Sequence, residues 1–444
     1  MIFGFFMSIL MFFLARPFAS FIHIDKASLA IMVLSPTVFF TAIESVYRGY
    51  FQGRGNMKPT GISQVLEQII NTIFSLLFAA LWIKYGIEAA CAGSTLGTTL
   101  GAIVSASYLI WFYERNKDNR PSYKEDGIVA VRLTNNQLIK RLLYFGLPIT
   151  LCWGLQSAGN MVDASNTLAR LAKAGLPSIQ ATIQYGNLGK FQTLINVPIA
   201  IISALCATIL PFISAAARKN KSSFKHGIDF ALKTCYLIAV PSAVGLAVLS
   251  KPIFVIFGKQ FVGGAPLMEI GSIILIMMAV AQIQMTILQG IGKIYQATTY
   301  LFLGLIVKIA ANYFLIAIPA INIKGAIIGT VLGYLLPLLL NKRLIIKSMK
   351  IRFSIIGPFL KPLMASIIMG LWEYFIYNIL YLILSFVGKG YIINLISVLI
   401  SIFSALFIYL YMLAINKGIT KSDMASLPNK LTRFIPKFVK IKMN

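Results

Sequence analysis

Apolar runs long enough to cross a bilayer recur from one end of this chain to the other, and that recurrence constrains the fold more than any motif. A helix needs about 20 mostly apolar residues to span roughly 30 Å of hydrocarbon. Twelve runs meet that length, at 2–21, 29–53, 60–83, 86–112, 139–162, 183–214, 229–257, 266–290, 296–319, 322–341, 355–380 and 390–415. Barrel strands would instead be about 10 residues long and alternate in polarity. The expected fold is therefore an all-α polytopic membrane protein of about 12 transmembrane helices. Cys91, Cys152, Cys206 and Cys235 show no CxxC spacing and read as packing residues.

The 444 residues carry a net charge of +27. In a soluble protein that suggests nucleic acid; here its placement says otherwise. Seven basic residues fall in 113–141, five in 218–233, five in 342–352 and seven in 417–442. The alternate connections hold only Lys26, Lys84, Arg170 with Lys173, Lys251 with Lys259, Lys324 and Lys389. Basic residues concentrate on the cytoplasmic side of membrane proteins. Both termini and the connections after even-numbered segments are thus expected in the cytoplasm of a plasma-membrane protein, with no nucleic-acid partner. The tail "KLTRFIPKFVKIKMN" alternates basic and apolar residues, which suits anionic lipid headgroups. No basic n-region precedes the first apolar run, so no signal peptide is expected.

The chain also repeats itself at separations of 235–237 residues. "ARPFASF" with Pro17 matches "SKPIFVIF" with Pro252. "FQGRGN" matches "LQGIGK", and "AGSTLG" with Gly93 and Gly97 matches "IGTVLG" with Gly329 and Gly333. Three ordered matches in nearly one register indicate two homologous lobes. Segments 1–4 correspond to segments 7–10, while segments 5 and 6 have no upstream counterpart. The reading is an N-terminal lobe of four helices (1–112), a cytoplasmic linker (113–138), a six-helix C-terminal lobe (139–345), two further helices (346–416) and a basic tail (417–444). The parent plan has fourteen helices. About seventy residues with two more spans are expected upstream, and the 444-residue chain alone is expected to transport poorly.

Polar residues within the spans form stripes rather than a scatter. Thr41, Glu44 and Arg48 share a face of the second segment, and Gln64, Glu67, Gln68 and Asn71 one of the third. Gln156, Asn160 and Asp163 mark the fifth segment, continued by Arg170 if the helix runs on. Lys190 and Asn196 lie on the sixth, Gln282 and Gln289 on the eighth, and Lys308 and Asn312 on the ninth. A charge facing lipid costs about 2.5–3.5 kcal/mol or more, so the stripes are expected to face a water-accessible cavity between the lobes. His23 and His226 fall in connections, and no phosphate loop, HExxH or GxSxG is present. No enzyme, metal site or cofactor is expected.

The stretch "RGYFQGRGNMKPTGISQVLEQ" resembles the signature of the stage V sporulation protein B group. That group belongs, beside the lipid II flippases, to the multidrug/oligosaccharidyl-lipid/polysaccharide exporter superfamily. "YGIEAACAGSTLGTTLGA", "GNMVDASNTLARLAKAG", "YGNLGKFQTLINVPIAIISAL" and "INIKGAIIGTVLGYLLP" resemble further blocks of it. The resemblance implies a fourteen-helix, two-lobed fold that flips undecaprenyl-pyrophosphate-linked glycans by alternating access. Family members carry two more helices at the start, whose first bears basic residues associated with the pyrophosphate.

In this reading Arg48, Lys308, Arg170 and Lys190 contact phosphate, and Gln64, Gln68, Gln156, Asn160 and Asn312 bind sugar or peptide. Glu44, Glu67 and Asp163 pair with the bases or carry a coupling cation. The substrate is a lipid-linked glycan, a peptidoglycan precursor for cell-wall or spore-cortex synthesis, and the protein acts as a monomer. The alternatives are a cation-coupled multidrug exporter of the same fold, and a non-transporting scaffold for envelope or spore assembly.

Overall fold

A computed structural model describes residues 1–21, 25–54, 56, 58–116, 134–386 and 390–416, apart from the side chains of ten residues in one helix and of Asp25, Ser178 and Lys259. His23, most of the linker (117–133) and the tail (417–444) lie outside the described residues. The described residues form α-helices and short 3-10 turns, with no strand. In chain order the helices are α1 (Ile2–Phe21), α2 (Ser28–Gly53), α3 (Lys58–Trp82), α4 (Ile87–Arg115), α5 (Asn135–Lys173), α6 (Ser178–Lys219), α7 (Lys221–Val248), α8 (Ser250–Ile256), α9 (Ala265–Gly290), α10 (Ile294–Leu315), α11 (Lys324–Met349), α12 (Leu360–Ser385) and α13 (Tyr391–Ile415). All but α8 are long, and these twelve occupy the twelve apolar runs. Eleven are apolar enough over 18 residues to cross a membrane. The twelfth, α5, has its apolar run interrupted by Gln156, Asn160 and Asp163.

Helix ends differ from the sequence-based boundaries where charge is helical. At 1.5 Å per residue, α5 with 39 residues and α6 with 42 are roughly 58 and 63 Å long, about twice the hydrocarbon thickness. Their apolar middles fit the expected 139–162 and 183–214; their charged ends continue the helix beyond those runs. Arg170 and Lys173 therefore sit in the last turn of α5. The stretch 215–228, expected as a loop, is helical on both sides of Asn220, whose side chain accepts from the Ser223 amide at 2.7 Å and caps α7. Lys342, Arg343 and Lys347 likewise ride on α11 rather than in a loop, and the helix ends at left-handed Lys350. The run expected as one segment at 229–257 breaks at Leu249. Pro252 then falls in the first turn of α8, where its missing amide hydrogen costs no helical bond.

The chain divides into two compact units, residues 1–133 and 134–444. In the first, α4 packs against α2 and α3, and α1 packs on α2. In the second, α11 packs against α9 and α10, and α7 packs on α9. The same neighbour scheme thus recurs in the order the sequence repeat implies. The second unit adds α6 against α7 and α9, α5 against α10, and the pair α12–α13, with α12 against α7. Its centre is α9, with fifteen buried residues including Met268, Leu275 and Gln284. Large apolar side chains elsewhere point outward, as on α12 (Leu371, Tyr374, Phe375) and α13 (Leu399, Phe403, Phe407). For helices solvated by lipid tails that is the expected arrangement.

Glycines set the closest helix approaches in both units. A Cβ placed on Gly93 would lie 2.8 Å from the Phe78 carbonyl oxygen, and one on Gly101 the same distance from that of Glu67. Gly97 between them abuts the Ser75 backbone. In the second unit Gly325 meets the α10 backbone at 2.8 Å, Gly329 meets Asn312, and Gly333 meets the Lys308 Cβ at 2.7 Å. Without a hydrophobic drive in lipid, such contacts carry helix association. Replacing Gly97 by valine is expected to cost about 1–3 kcal/mol by overpacking. Thermal unfolding in detergent would show it as a lowered midpoint. Gly49→Ala, at a site with nothing within 4 Å, should leave the midpoint unchanged.

Candidate functional site

Two polar centres form, one in each unit. In the first, Arg48 on α2 lies in a pocket of acceptors. Its guanidinium donates to Glu67 Oε2 at 2.7 Å and to Ser105 Oγ at 3.0 Å, while its Nε donates to Ser63 Oγ at 3.1 Å. Glu44, one turn earlier, completes the set at 3.4 Å and is only 1% exposed. One cation thus holds two carboxylates and joins α2, α3 and α4. Farther along the α3–α4 seam, Thr98 donates to Asn71 Oδ1 at 3.2 Å and Ser75 to the Ser94 carbonyl at 2.6 Å.

The α3 stripe divides. Glu67 and Asn71 turn into this unit, whereas Gln64 and Gln68 are exposed. At 100° per residue the four span a 100° arc, and the packing of α4 cuts through it. Ser63 and Ser105, which complete the Arg48 shell, were not singled out from the sequence. Ser63 sits one turn from Glu67 and was within reach of a helical-wheel reading; Ser105, 57 residues from Arg48, was not.

The second centre is a cavity of about 140 Å³ among α5, α6, α9, α10 and α11. Lys308 and Asn312 line it from α10, Gln192 and Asn196 from α6, and Thr330 and Tyr334 from α11. Thr167 of α5 closes one side, and Phe191, Ile195, Leu305 and Met278 supply apolar wall. Asn312 is 1% exposed beside Gly329. Lys308 lies fifteen residues into a helix of 22, away from either end. Small residues on α11 make the room, since Gly333 packs on the Lys308 stem.

Arg170 and Lys190 do not line this cavity. Arg170 stacks on the Tyr313 ring, its guanidinium carbon 3.2 Å from the centroid, and its buried Nε has no hydrogen-bond partner among the described residues. The Lys190 ammonium lies over Phe261 at 3.4 Å and Phe257 at 4.8 Å. Both are cation–π arrangements. Tyr313, Phe257 and Phe261 carried no sequence signal, because an aromatic residue in an apolar run is ordinary. The side chains of Gln156, Asn160 and Asp163 lie outside the described residues. Among the described residues no group of three or more His, Cys, Asp or Glu is placed to hold a metal ion.

Two units of long apolar helices with polar centres between helices define an all-α multi-pass membrane protein with the exporter fold. Residues 1–217 match the polysaccharide biosynthesis protein family, and the chain is homologous to stage V sporulation protein B and to a lipid II flippase. It is 26% identical over 338 residues to "Stage V sporulation protein B" of Bacillus subtilis (strain 168), covering 74% of this chain and 64% of that protein. To "Lipid II flippase MurJ" of the same organism it is 24% identical over 324 residues, covering 71% of this chain and 59% of the relative. The chain thus spans less than two thirds of either relative. Among solved structures it shares the fold of "Lipid II flippase MurJ, inward closed conformation", with TM-score 0.60, 18% identity and coverage of 93% of this chain and 81% of that one. An inward-facing multidrug resistance MATE family transporter of the MOP superfamily gives TM-score 0.61 at 16% identity, covering 79% of each chain.

Proposed function

We propose that this protein moves an undecaprenyl-pyrophosphate-linked glycan, a peptidoglycan precursor, across the plasma membrane by alternating access. The observation that carries this reading is the Lys308 cavity. A cation set in mid-span among amides (Gln192, Asn196, Asn312) and hydroxyls (Thr330, Tyr334) suits an anionic headgroup joined to a sugar. Pyrophosphate takes the ammonium; glycan hydroxyls take the amides. The name of one relative, a lipid II flippase, points the same way. Arg170, Lys190, Gln64, Gln68, Gln156 and Asn160 serve as further contacts along the substrate's path. Glu44 and Glu67 act through Arg48, and Asp163 serves as a further charge partner. The protein works as a monomer, with its basic tail on anionic lipid.

The test is flipping of a fluorescent undecaprenyl-pyrophosphate glycan by the full chain in liposomes. Protection of the label from an outside quencher should be lost with time, and empty liposomes should show no loss. A rate above that of empty liposomes, even a slow one, supports the reading, and equal rates in both would overturn it. Cation-coupled drug export is the second reading, favoured by the MATE-like fold; efflux of a cationic dye without glycan flipping would select it.

Orientation has its own test. Lys84, between α3 and α4, and Lys347, near the end of α11, are both exposed. With both termini cytoplasmic, Lys84→Cys should react with an impermeant maleimide on intact cells and Lys347→Cys only after permeabilisation. The reverse pattern would invert the topology.

A further inference from the structure

Glu373 belongs to neither centre. It lies fourteen residues into the 26-residue α12 and is 3% exposed. Its Oε2 has no hydrogen-bond partner, and among the described residues no base pairs with it. Both carboxyl oxygens face α7. A Cβ built on Gly245 would lie 3.3 Å from Oε2 and 3.6 Å from Oε1.

The neighbouring helix α13 also carries a buried polar group without a described partner. The Tyr377 hydroxyl donates to Asn394 Oδ1 at 2.9 Å, which sets the register of antiparallel α12 and α13. One turn back along α12 is Glu373; one turn onward along α13 is Ser397. Ser397 is fully buried and its Oγ has no partner. Asn394 continues the polar track, its Nδ2 donating to the Pro252 carbonyl at 2.9 Å. That carbonyl belongs to α8, just past the break at Leu249, next to the exposed Lys251.

Other ionisable groups are distant along the chain. On α7 they are Lys221, Lys225, His226, Asp229, Lys233, Cys235 and Tyr236, the last nine residues before Gly245. On α13 they are Tyr391, Tyr409 and Tyr411, and on α12 itself Lys361, Tyr374, Tyr377 and Tyr381. The turn 357–359 carries none. A carboxylate buried in a span without a base must be neutralised, because an uncompensated charge there costs several kcal/mol.

We propose that Glu373 is a proton-binding site within the α7–α12–α13 bundle. The carboxylate takes one proton and no other bond changes. The inference stands on the burial of Glu373 against α7 and does not need the transport reading.

Infrared difference spectroscopy of the full chain in lipid vesicles tests it without any transport assay. The wild type should show a protonated-carboxyl stretching band that is missing in Glu373→Gln. The band should fade as pH rises. Glu373→Asp, keeping the acid, should keep the band at a displaced midpoint, and it serves if the Gln variant fails to fold. Wild-type and Glu373→Gln spectra that match would overturn the proposal. So would a Glu373 band indifferent to pH wherever the protein stays folded, since the acid would then be a fixed packing group.

Discussion

Replacing Lys308 by methionine is expected to reduce glycan flipping at least tenfold while leaving the protein folded. The substitution keeps an unbranched side chain, one atom shorter, and removes the charge. A hydrogen bond to a charged group contributes about 1.5–3 kcal/mol, and each 1.4 kcal/mol is a factor of ten. Loss of one ammonium contact to a pyrophosphate therefore predicts a fall of about 10- to 150-fold. Lys308→Arg should retain part of the activity. The measurement is the liposome flipping rate beside the thermal midpoint in detergent. A wild-type rate in the methionine variant would remove Lys308 from the substrate contacts, and a lowered midpoint would reassign it to packing.

The Arg48→Leu variant should fail in the opposite way, by losing the fold. Arg48 neutralises Glu67 at 2.7 Å and Glu44 at 3.4 Å. Without it two carboxylates remain in the seam of α2, α3 and α4. Breaking a buried ion pair on one side costs about 3–5 kcal/mol, a large share of a typical net stability of about 5–15 kcal/mol. Abundance in the membrane should drop severely, with the residual protein aggregating on extraction. The triple variant Glu44→Gln, Arg48→Met, Glu67→Gln should recover most of that abundance, since the whole network becomes neutral. Its flipping rate then separates two roles. Near wild-type transport would make the network a structural tie, and a stable but inactive protein would place the charges in the transport cycle. Normal abundance of Arg48→Leu would show that the cluster carries little of the fold.

The two outcomes differ because the two cations differ in surroundings. Arg48 has its positive charge already balanced by carboxylates. Lys308 lines a cavity whose other described polar side chains are amides and hydroxyls. Composition alone ranks them equally as basic residues within spans.

Local features of this protein were legible in the sequence. Apolar length placed twelve long helices, because the bilayer sets a minimum span. Helical periodicity put Glu44 one turn from Arg48, and the internal repeat anticipated that α2–α4 and α9–α11 would share a packing scheme. Where the helices end was less legible. The ends of α5 and α6 extend past the hydrocarbon on charged residues, and hydropathy does not register helix outside it. Only tertiary packing decided which polar residues meet. It brought Ser105 to Arg48 across 57 residues, turned Gln64 and Gln68 outward from the stripe they share with Glu67, and set Lys190 on two phenylalanine rings rather than beside Lys308. It also tied α12 to α13 through one bond between Tyr377 and Asn394. Periodicity assigns a residue to a face of its own helix. Which neighbour covers that face depends on helix approach distances, set here by glycines whose partners lie on other helices.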